Sequence, residues 1–385
     1  MPDQQSGGTK GKFMISDSIH QTMTGLIRRQ YDRARQDLSA RLQALSDSEG
    51  DLVSVLEGLV AHQVHAGIVQ DDLHALERFQ IAAPGDPSRV FFVDYNPARA
   101  RRHHGAGRAE APPGWDRVNA GCYLCPENIL WQQRFCQFPA PVPLPSGSYH
   151  AWANPFPLGH FHVTIAADAH VPQAWMGQDR AQSLDSLARR IVDLVHLAQQ
   201  LPRYLVFENG TGAGATLPQH HHFQALKKWP GLTRYPIEAA ARVQEERDGT
   251  GKAGQPFVLR DYPVSGLCWH GTADEIVASL GNALSDWLGA YPTETDWRHL
   301  TTNLIASRES SADERLRLFL IPRNTHITRA TGLTGAVASL ELAGELVFAH
   351  EQERDRIAAG QVSYDSVWET LASAQDAGSR GMLKG

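Results

Sequence analysis

A strand-like run, a glycine-rich loop and a second strand-like run follow one another in RYLVFENGTGAGATLPQHHHFQAL, Arg203 to Leu226. Gly210, Gly212 and Gly214 can adopt backbone conformations closed to other residues, and so turn successive N–H groups toward an anion. In a strand, residues i, i+2 and i+4 point the same way. His220, His222 and Gln224 therefore line one face, while His221 and Phe223 point to the other. The pattern places a phosphate nest beside two imidazoles on one rigid element.

That arrangement suits attack at phosphorus. A neutral imidazole can attack through one ring nitrogen while the other donates its N–H to a carbonyl, giving a nucleotidyl-histidine. The remaining work is charge neutralisation on the non-bridging oxygens, which the nest and Gln224 can supply. Glutamine holds an oxygen but does not readily take a proton from water, so such an intermediate waits for a phosphate-bearing acceptor. Blander readings of the histidine run fit less well. It is internal and too short for a tag, a surface metal tract needs no glycine loop, and three adjacent histidines make a poor apolar core.

A chain of 385 residues can bury one large core or two ordinary ones. Its net charge of −6 argues against a general affinity for nucleic acid or an anionic membrane. The start, MPDQQSGGTKGKFM, lacks the apolar core of a signal peptide, and no run of about 18 apolar residues occurs. A cytoplasmic protein is expected. The four cysteines do not make a disulfide framework, but Cys122 and Cys125 form a CxxC, which points to metal or redox chemistry. Cys136 and Cys268 have no partner at useful spacing and read as core residues.

Along the chain, a disordered start (1–15) precedes a helical extension (16–84), in which Ser46–Ser48 supply a cap for Leu52, Val55, Leu56, Leu59 and Val60. Short strands are expected at Val90–Tyr95, Tyr149–Asn154 and Phe161–Ala166, and an amphipathic helix at Ser183–Gln200. QEERDGTGKAGQP is charged, glycine-rich and aperiodic, and marks a linker over 239–256; its GTGKAG lacks the GxxxxGK[ST] spacing and reads as a surface turn. Beyond it a strand-like FVLRDYPV, a helix with a Thr272/Glu275 capping box, and the strand-like HLTTNLIAS and RLRLFLIPR follow. Strands mixed with separate helices predict an α+β fold with two halves, 85–238 and 257–385, of similar content.

FENGTGAGATLPQHHHFQ resembles the active-site segment of the transferase branch of the histidine-triad superfamily, the branch of galactose-1-phosphate uridylyltransferase, diadenosine tetraphosphate phosphorylase and GDP-L-galactose phosphorylase. Its signature is a glycine-rich loop followed by His-x-His-x-Gln, met here by His220, His222 and Gln224; hydrolases of the superfamily usually have a third histidine where Gln224 stands. WANPFPLGHFHVTIAADAHVPQ is similar to the strand-turn-strand before the catalytic strand, and VDYNPARA, CYLCPENILWQQ and FLIPRNTH are similar to a bacterial branch of the same group. The resemblance runs in patches from about Val90 to the C-terminus and leaves the N-terminal helices uncovered.

The resemblance implies two histidine-triad-like lobes with antiparallel sheets and flanking helices. It makes His222 the nucleophile, with His220 and Gln224 completing the catalytic strand and Asn209, Gly210, Gly212, Gly214 and Thr216 holding phosphate. Asn96, Arg99, Asn154 and Phe156, with Arg323 and His326 from the second half, become candidates for the nucleotide or sugar. Arg101 and Arg102 join Arg99 in a cluster that reads equally as a solvated loop. A structural Zn2+ is implied on Cys122, Cys125, His170 and His220, with His160 and His162 as alternatives to His170. Two thiolates and two imidazoles suit tetrahedral zinc, which in small domains contributes on the order of 10 kcal/mol. A pair of buried thiols is the bland alternative.

The expected partners are a nucleoside diphosphate sugar or dinucleotide, and phosphate or a sugar phosphate, with no nucleic acid, no membrane and a second copy in a homodimer. The ending HFQA is closest to the GDP-hexose phosphorylases, which makes a GDP-hexose-like donor the first choice. A dinucleoside polyphosphate phosphorylase or a hydrolase is the enzymatic alternative, and a non-catalytic nucleotide-binding protein the alternative of another class. His221 has no role in this scheme.

Overall fold

The two strands with the longest buried runs, LTTNLIASR and LRLFLIPRN, lie side by side in the main sheet of the molecule, which we describe from a computed structural model covering residues 17–69, 73–101, 116–132, 136–291, 299–327 and 329–375. Residues 1–15, Arg102 and the side chain of Arg101 lie outside the described residues. The two strands, β10 (Leu300–Arg308) and β11 (Leu316–Asn324), pair antiparallel and are buried along all but their last residue. Alternate residues point to opposite faces, so a strand covered on both sides is buried at successive positions, here including the polar Thr301, Thr302 and Asn303.

The other strands are β1 (Glu77–Ala83), β2 (Asp86–Tyr95), β3 (Pro139–Leu144), β4 (Gly147–Ala153), β5 (Val163–Ala167), β6 (Tyr204–Asn209), β7 (His222–Lys227), β8 (Phe257–Leu259), β9 (Gly266–Gly271) and β12 (Glu345–Phe348). Nine of the twelve described strands make one antiparallel sheet in the order β3-β4-β5-β7-β6-β10-β11-β9-β8. The first half supplies β3 to β7 and the second β8 to β11, and the two join where β6 pairs with β10 from Asn303↔Asn209 to Ser307↔Leu205. A three-stranded sheet, β1-β2-β12, returns the C-terminal part of the chain to the first half through a parallel β12–β2 pair. The fold is α+β, as expected.

Helices cover both faces of the large sheet. One face carries α2 (Leu52–His65), α4 (Arg180–Gln200) and α6 (Ala273–Gly289), whose Leu59, Ile191, Leu194 and Leu280 pack on Ile165, Val206, Phe223, Leu304 and Leu318. The opposite face carries α5 (Pro236–Asp248), α7 (Ser339–Ala343) and α9 (Tyr364–Ala372), packed on Leu205, Phe207, Ile305 and Phe319. Each fully buried aliphatic side chain contributes about 1.5–3 kcal/mol to this layering. α8 (Glu351–Ala358) adds Ile357 to the α5 side, and α3 (Pro126–Gln132) packs Ile129 with Cys122, Cys125 and Trp152 in a third cluster.

Several boundaries differ from the sequence expectation for identifiable reasons. The cap at Ser46–Ser48 is inside α1 (Asp17–Glu49); Gly50, with φ of 71°, ends that helix, and Asp51 caps α2 by accepting the Ser54 N–H at 2.8 Å. The helical extension stops at His65, and ERFQIAA forms β1, with Phe79 and Ile81 at the period of two that a strand requires. The segment expected as a linker over 239–256 is helical to Asp248, because Ile237, Ala241 and Gln244 continue one buried helical face across the assumed boundary. Gly249, with φ of 61°, then terminates α5. The Thr272/Glu275 capping box is present in both directions, at 2.8 and 3.3 Å. No described helix is long and apolar enough to cross a membrane.

Where β12 meets β2, two carboxylates and one arginine are enclosed together. Arg78 donates to both oxygens of the fully buried Asp94 at 2.9 and 2.8 Å, and its Nη2 lies 2.6 Å from Glu345 Oε2, too bent for a hydrogen bond. The Trp229 indole donates to Glu345 Oε1 at 3.3 Å. Burial, with the Asp94 charge adding to it, holds the Glu345 carboxyl well above its ordinary value of 4.5. The folded chain therefore keeps a proton here that the unfolded chain has released, and stability is lost as pH rises through the folded value. The melting temperature is expected to fall between about pH 5 and about pH 8, and Glu345→Gln to flatten that decline. Parallel profiles for the two proteins would contradict the retention of a proton on Glu345.

Candidate active site

β7 lies between β5 and β6, paired Ala166↔His222 and Thr164↔Gln224 on one side and Phe207↔Gln224 on the other. The regular strand begins at His222 and leaves His220 ahead of it, because β6 parts from β7 after Phe207 and ends at Asn209, where the glycine loop begins. The chain ahead of it is still extended enough to bond, since His221 N–H donates to Val171 O at 2.7 Å and His221 O accepts from Ala167 at 3.0 Å. Alternation holds: His221 and Phe223 go to the α4 face, and His222 and Gln224 to the other.

His222 is buried and fixed at three points. Its Nδ1 lies 2.8 Å from the carbonyl oxygen of His220. A carbonyl can only accept, so Nδ1 carries the proton and Nε2 presents its lone pair; Nε2 makes no hydrogen bond among the described residues. Where the β6 ladder is missing, the Gln173 side chain replaces it, its Oε1 accepting from His222 N at 2.9 Å and its Nε2 donating to His222 O at 3.2 Å. Gln173 is itself held by Glu208 at 2.9 Å, and Glu208 by Arg190 at 2.8 Å. Burial lowers the His222 pKa to about 4, so the ring is neutral near pH 7.

Gln224 is oriented by a chain of contacts from the turn before β5. Leu158 N–H donates to His162 Nδ1 at 3.0 Å, and His162 Nε2 lies 3.0 Å from Gln224 Oε1. The same turn is closed by Asn154 Oδ1 accepting from Phe156 N at 3.0 Å, and braced by Asn96 Nδ2 on Pro157 O at 3.0 Å and Arg99 Nη1 on Phe156 O at 2.7 Å. The four residues assigned to nucleotide or sugar contact in the first half are thus assembled around one turn.

The glycines of the loop allow close approach of the second half. A Cβ on Gly210 would sit 2.3 Å from Thr301 Oγ1 and Thr302 O, and one on Gly214 2.4 Å from Ala338 Cβ. Gly212 and Gly214 also have φ of 72° and 101°. Asn209 Oδ1 accepts from Ser339 N at 2.8 Å and Asn303 Nδ2 at 3.2 Å, while Asn303 Oδ1 accepts from Arg323 Nη1 at 2.8 Å. Arg323 also donates to Val337 O at 3.1 Å, and its buried Nε has no hydrogen-bond partner among the described residues. Burial lowers the pKa of this guanidinium to about 10, a cation held near the loop by neutral acceptors. The exposed His326 ring lies against His299 at 3.8 Å, beside Thr325, which faces Gly212. Thr216 is exposed at the end of the loop.

Cys122, Cys125, His170 and His220 converge, with one ligand atom from each within 4.8 Å of every other. Cys122 Sγ and Cys125 Sγ lie 3.4 and 3.6 Å from His220 Nδ1, and His170 Nδ1 lies 3.3 Å from both Cys125 Sγ and His220 Nδ1. A tetrahedron with Zn–S of about 2.3 Å and Zn–N of about 2.0 Å has edges of about 3.3–3.8 Å, so the donor set fits zinc. His220 Nε2 donates to Ala167 O at 2.7 Å, which leaves Nδ1 unprotonated and directed at the thiols. Asn119 Nδ2 donates to Cys125 Sγ at 3.2 Å. The alternative ligands are occupied elsewhere, His160 against Trp229 at 4.5 Å and His162 on Gln224. Cys268 is buried, as expected; Cys136 is exposed, contrary to expectation, because it precedes the edge strand β3.

His221 now has a place. It packs on Phe223 at 4.8 Å, with Tyr149 Oη 3.4 Å from its Nδ1 and Glu208 Oε2 3.6 Å from its Nε2. Tyr149 donates onward to Asp193 at 2.9 Å. This buried polar layer supports β7 from behind. From sequence alone Gln173, Glu208, Arg190, Asn303 and Ser339 had no role, although Gln173 and Glu208 stand within the stretches that carry the resemblance. A separate cavity of about 260 Å3, lined by Arg234, Glu245, His270, Glu309 and Arg317, contains none of the site residues, and its charges pair with one another.

Fold and site together define an α+β protein with a neutral histidine and an oriented glutamine on one sheet strand, beside a Cys2His2 cluster. The model of a family described as "Domain of unknown function (DUF4922)" matches residues 64–227, a stretch that holds the cluster, His222 and Gln224. Among solved structures, the chain is similar to yeast Ap4A phosphorylase in complex with Ap4A, at 14% identity over 83% of this chain and 95% of that one, with a TM-score of 0.48. It is also similar to an ADP-glucose phosphorylase from Arabidopsis thaliana with bound ADP-glucose (15% identity, 78% of this chain, 100% of that one, TM-score 0.33). A uridylyltransferase mutant matches at 12% identity over 80% of this chain and 98% of that one, with a TM-score of 0.30. Comparison with curated proteins finds no match.

Proposed function

We propose that the protein is a nucleotidyltransferase that works in two steps through a covalent nucleotidyl group on His222. The observation that carries this reading is the ring of His222: neutral, protonated at Nδ1 by its bond to His220 O, with the Nε2 lone pair uncommitted. In the first step Nε2 attacks the α-phosphorus of the donor. The P–N bond forms, the P–O bond to the leaving group breaks, and that oxygen keeps the electron pair. In the second step an oxygen of the acceptor attacks the same phosphorus and the P–N bond breaks. Nδ1–H stays on the ring and holds it in place as positive charge develops.

Gln224 holds a non-bridging oxygen, and Arg323, underneath the glycine loop, supplies positive charge to the phosphate chain. Asn209, Gly210, Gly212, Gly214 and Thr216 form the phosphate side of the site. His326 and the turn containing Asn154 and Phe156 border the nucleotide and the leaving group. Zinc, held by Cys122, Cys125, His170 and His220, would tie the CxxC loop to the residue whose carbonyl orients His222.

The donor is a nucleoside diphosphate sugar, with a GDP-hexose as first choice on the ending HFQA, and phosphate is the acceptor. Dinucleoside polyphosphates belong in the same trial, since they present the same α-phosphorus. Intact-protein mass spectrometry after mixing with each donor is expected to show a nucleoside-monophosphate adduct whose mass names the base, and phosphate is expected to remove it. Steady release of nucleotide into water without an acceptor would point to a hydrolase instead. Binding without an adduct from any donor would sink the reading in favour of a nucleotide-binding protein.

A further inference from the structure

Gln224 can serve the transfer only if its amide nitrogen, and not its carbonyl oxygen, faces the substrate. An amide side chain can rotate by half a turn with little change in shape, which would place a carbonyl dipole against the phosphoryl oxygens. One residue of this chain removes that freedom.

His162 is almost entirely buried, at 1% exposure, one position before β5. Its Nδ1 lies 3.0 Å from the backbone nitrogen of Leu158, which can only donate, so Nδ1 is the unprotonated nitrogen. The proton is on Nε2, 3.0 Å from the Gln224 side chain, and the partner there must accept. The carbonyl oxygen of Gln224 is thereby committed to His162. Its NH2 group, with no hydrogen bond among the described residues, is the end left for the ligand. Gln224 and His222 occupy alternate positions of β7, so this NH2 is on the nucleophile's side of the strand.

We infer that His162 is a positioning residue that sets which end of the Gln224 amide meets the transferred phosphoryl group. The ligand is the α-phosphate of a nucleoside diphosphate ester, and the inference rests on the reading in which Gln224 holds a phosphoryl oxygen. It also gives the NPFPLG turn a task. Asn96, Arg99 and Asn154 fix the backbone that presents the Leu158 N–H, and through His162 that N–H selects the face of an amide on another strand. With its oxygen consumed, Gln224 offers no acceptor to a water proton.

The test compares rates of adduct formation for wild type, His162→Ala, His162→Asn, His162→Gln, Gln224→Ala and the double variant His162→Ala/Gln224→Ala. Glutamine can place a donor nitrogen near the former Nε2, whereas asparagine is too short to reach. His162→Ala and His162→Asn are expected to be about 10- to 100-fold slower than wild type, and His162→Gln to recover most of that loss. In the Gln224→Ala background, His162→Ala is expected to change nothing further. If the two losses multiply instead, or if glutamine fails where the protein remains folded, His162 does not act through Gln224.

If wild type forms no adduct at all, the transfer reading fails, and nitrogen-15 spectra of the wild-type imidazoles decide the inference separately. A proton on Nε2 of His162, with a Gln224 side-chain amide signal that moves in His162→Gln, supports it. A proton on Nδ1, or an amide signal that does not move, overturns it.

Discussion

His222→Asn is expected to slow nucleotidyl transfer by on the order of 10^4-fold or more while leaving thermal stability close to that of wild type. The choice of asparagine separates chemistry from architecture. Its side-chain amide can still donate to the His220 carbonyl, which is 2.8 Å from Nδ1 in the wild type, and its backbone can still be clipped by Gln173. What it lacks is a second nitrogen with a lone pair. No covalent adduct should form with any donor, yet nucleotide should bind about as well as before, because the glycine loop and Arg323 are untouched. Binding by calorimetry, beside adduct formation by mass, checks both halves of the expectation. An adduct that persists in His222→Asn would mean another residue is the nucleophile.

The second large effect concerns the metal. Protein prepared with zinc in the medium is expected to carry one zinc ion per chain, and Cys122→Ser/Cys125→Ser to lose it. Melting temperature should drop by about 10 °C or more, since zinc ligation in small domains is worth on the order of 10 kcal/mol. The effect should also reach the chemistry. His220 contributes its ring to the cluster and its carbonyl oxygen to His222 Nδ1, so loosening the ring loosens the tautomer lock on the nucleophile. Elemental analysis, melting curves and adduct rates on the same samples test the coupling. Full occupancy in the double serine variant would refute the ligand assignment.

Local patterns were legible in the sequence, and long-range polar contacts were not. The α+β content, the amphipathic helix α4 and the capping box of α6 follow from periodicity and neighbours within four residues. The placing of His222 with Gln224 on one strand face came from the strand period of two, and the cluster of Cys122, Cys125, His170 and His220 from the resemblance. Gln173 closes one of the resembling stretches but was given no role, because nothing local marks it. It substitutes for a missing strand partner 49 residues further along the chain, a role set by where β6 leaves the ladder. His162 was weighed only as a metal ligand, because its true partners depend on how one turn closes. The linker failed for a physical reason too: its charged residues are the solvent face of α5, and the apolar residues that betray the helix fall on both sides of the assumed boundary.

The junction of β6 with β10 bears on any attempt to divide the chain. The residues at that seam, Leu205, Val206 and Phe207, are fully or almost fully buried, and the seam is closed only by a strand that follows nearly a hundred residues later. A fragment ending soon after β7 would leave β6 as a naked edge, apolar on both sides, with its backbone donors and acceptors unsatisfied. Such an edge recruits whatever strand is at hand, including its own copies. The first half is therefore a poor unit for separate expression, and during synthesis the chain must protect an adhesive border until its C-terminal half arrives.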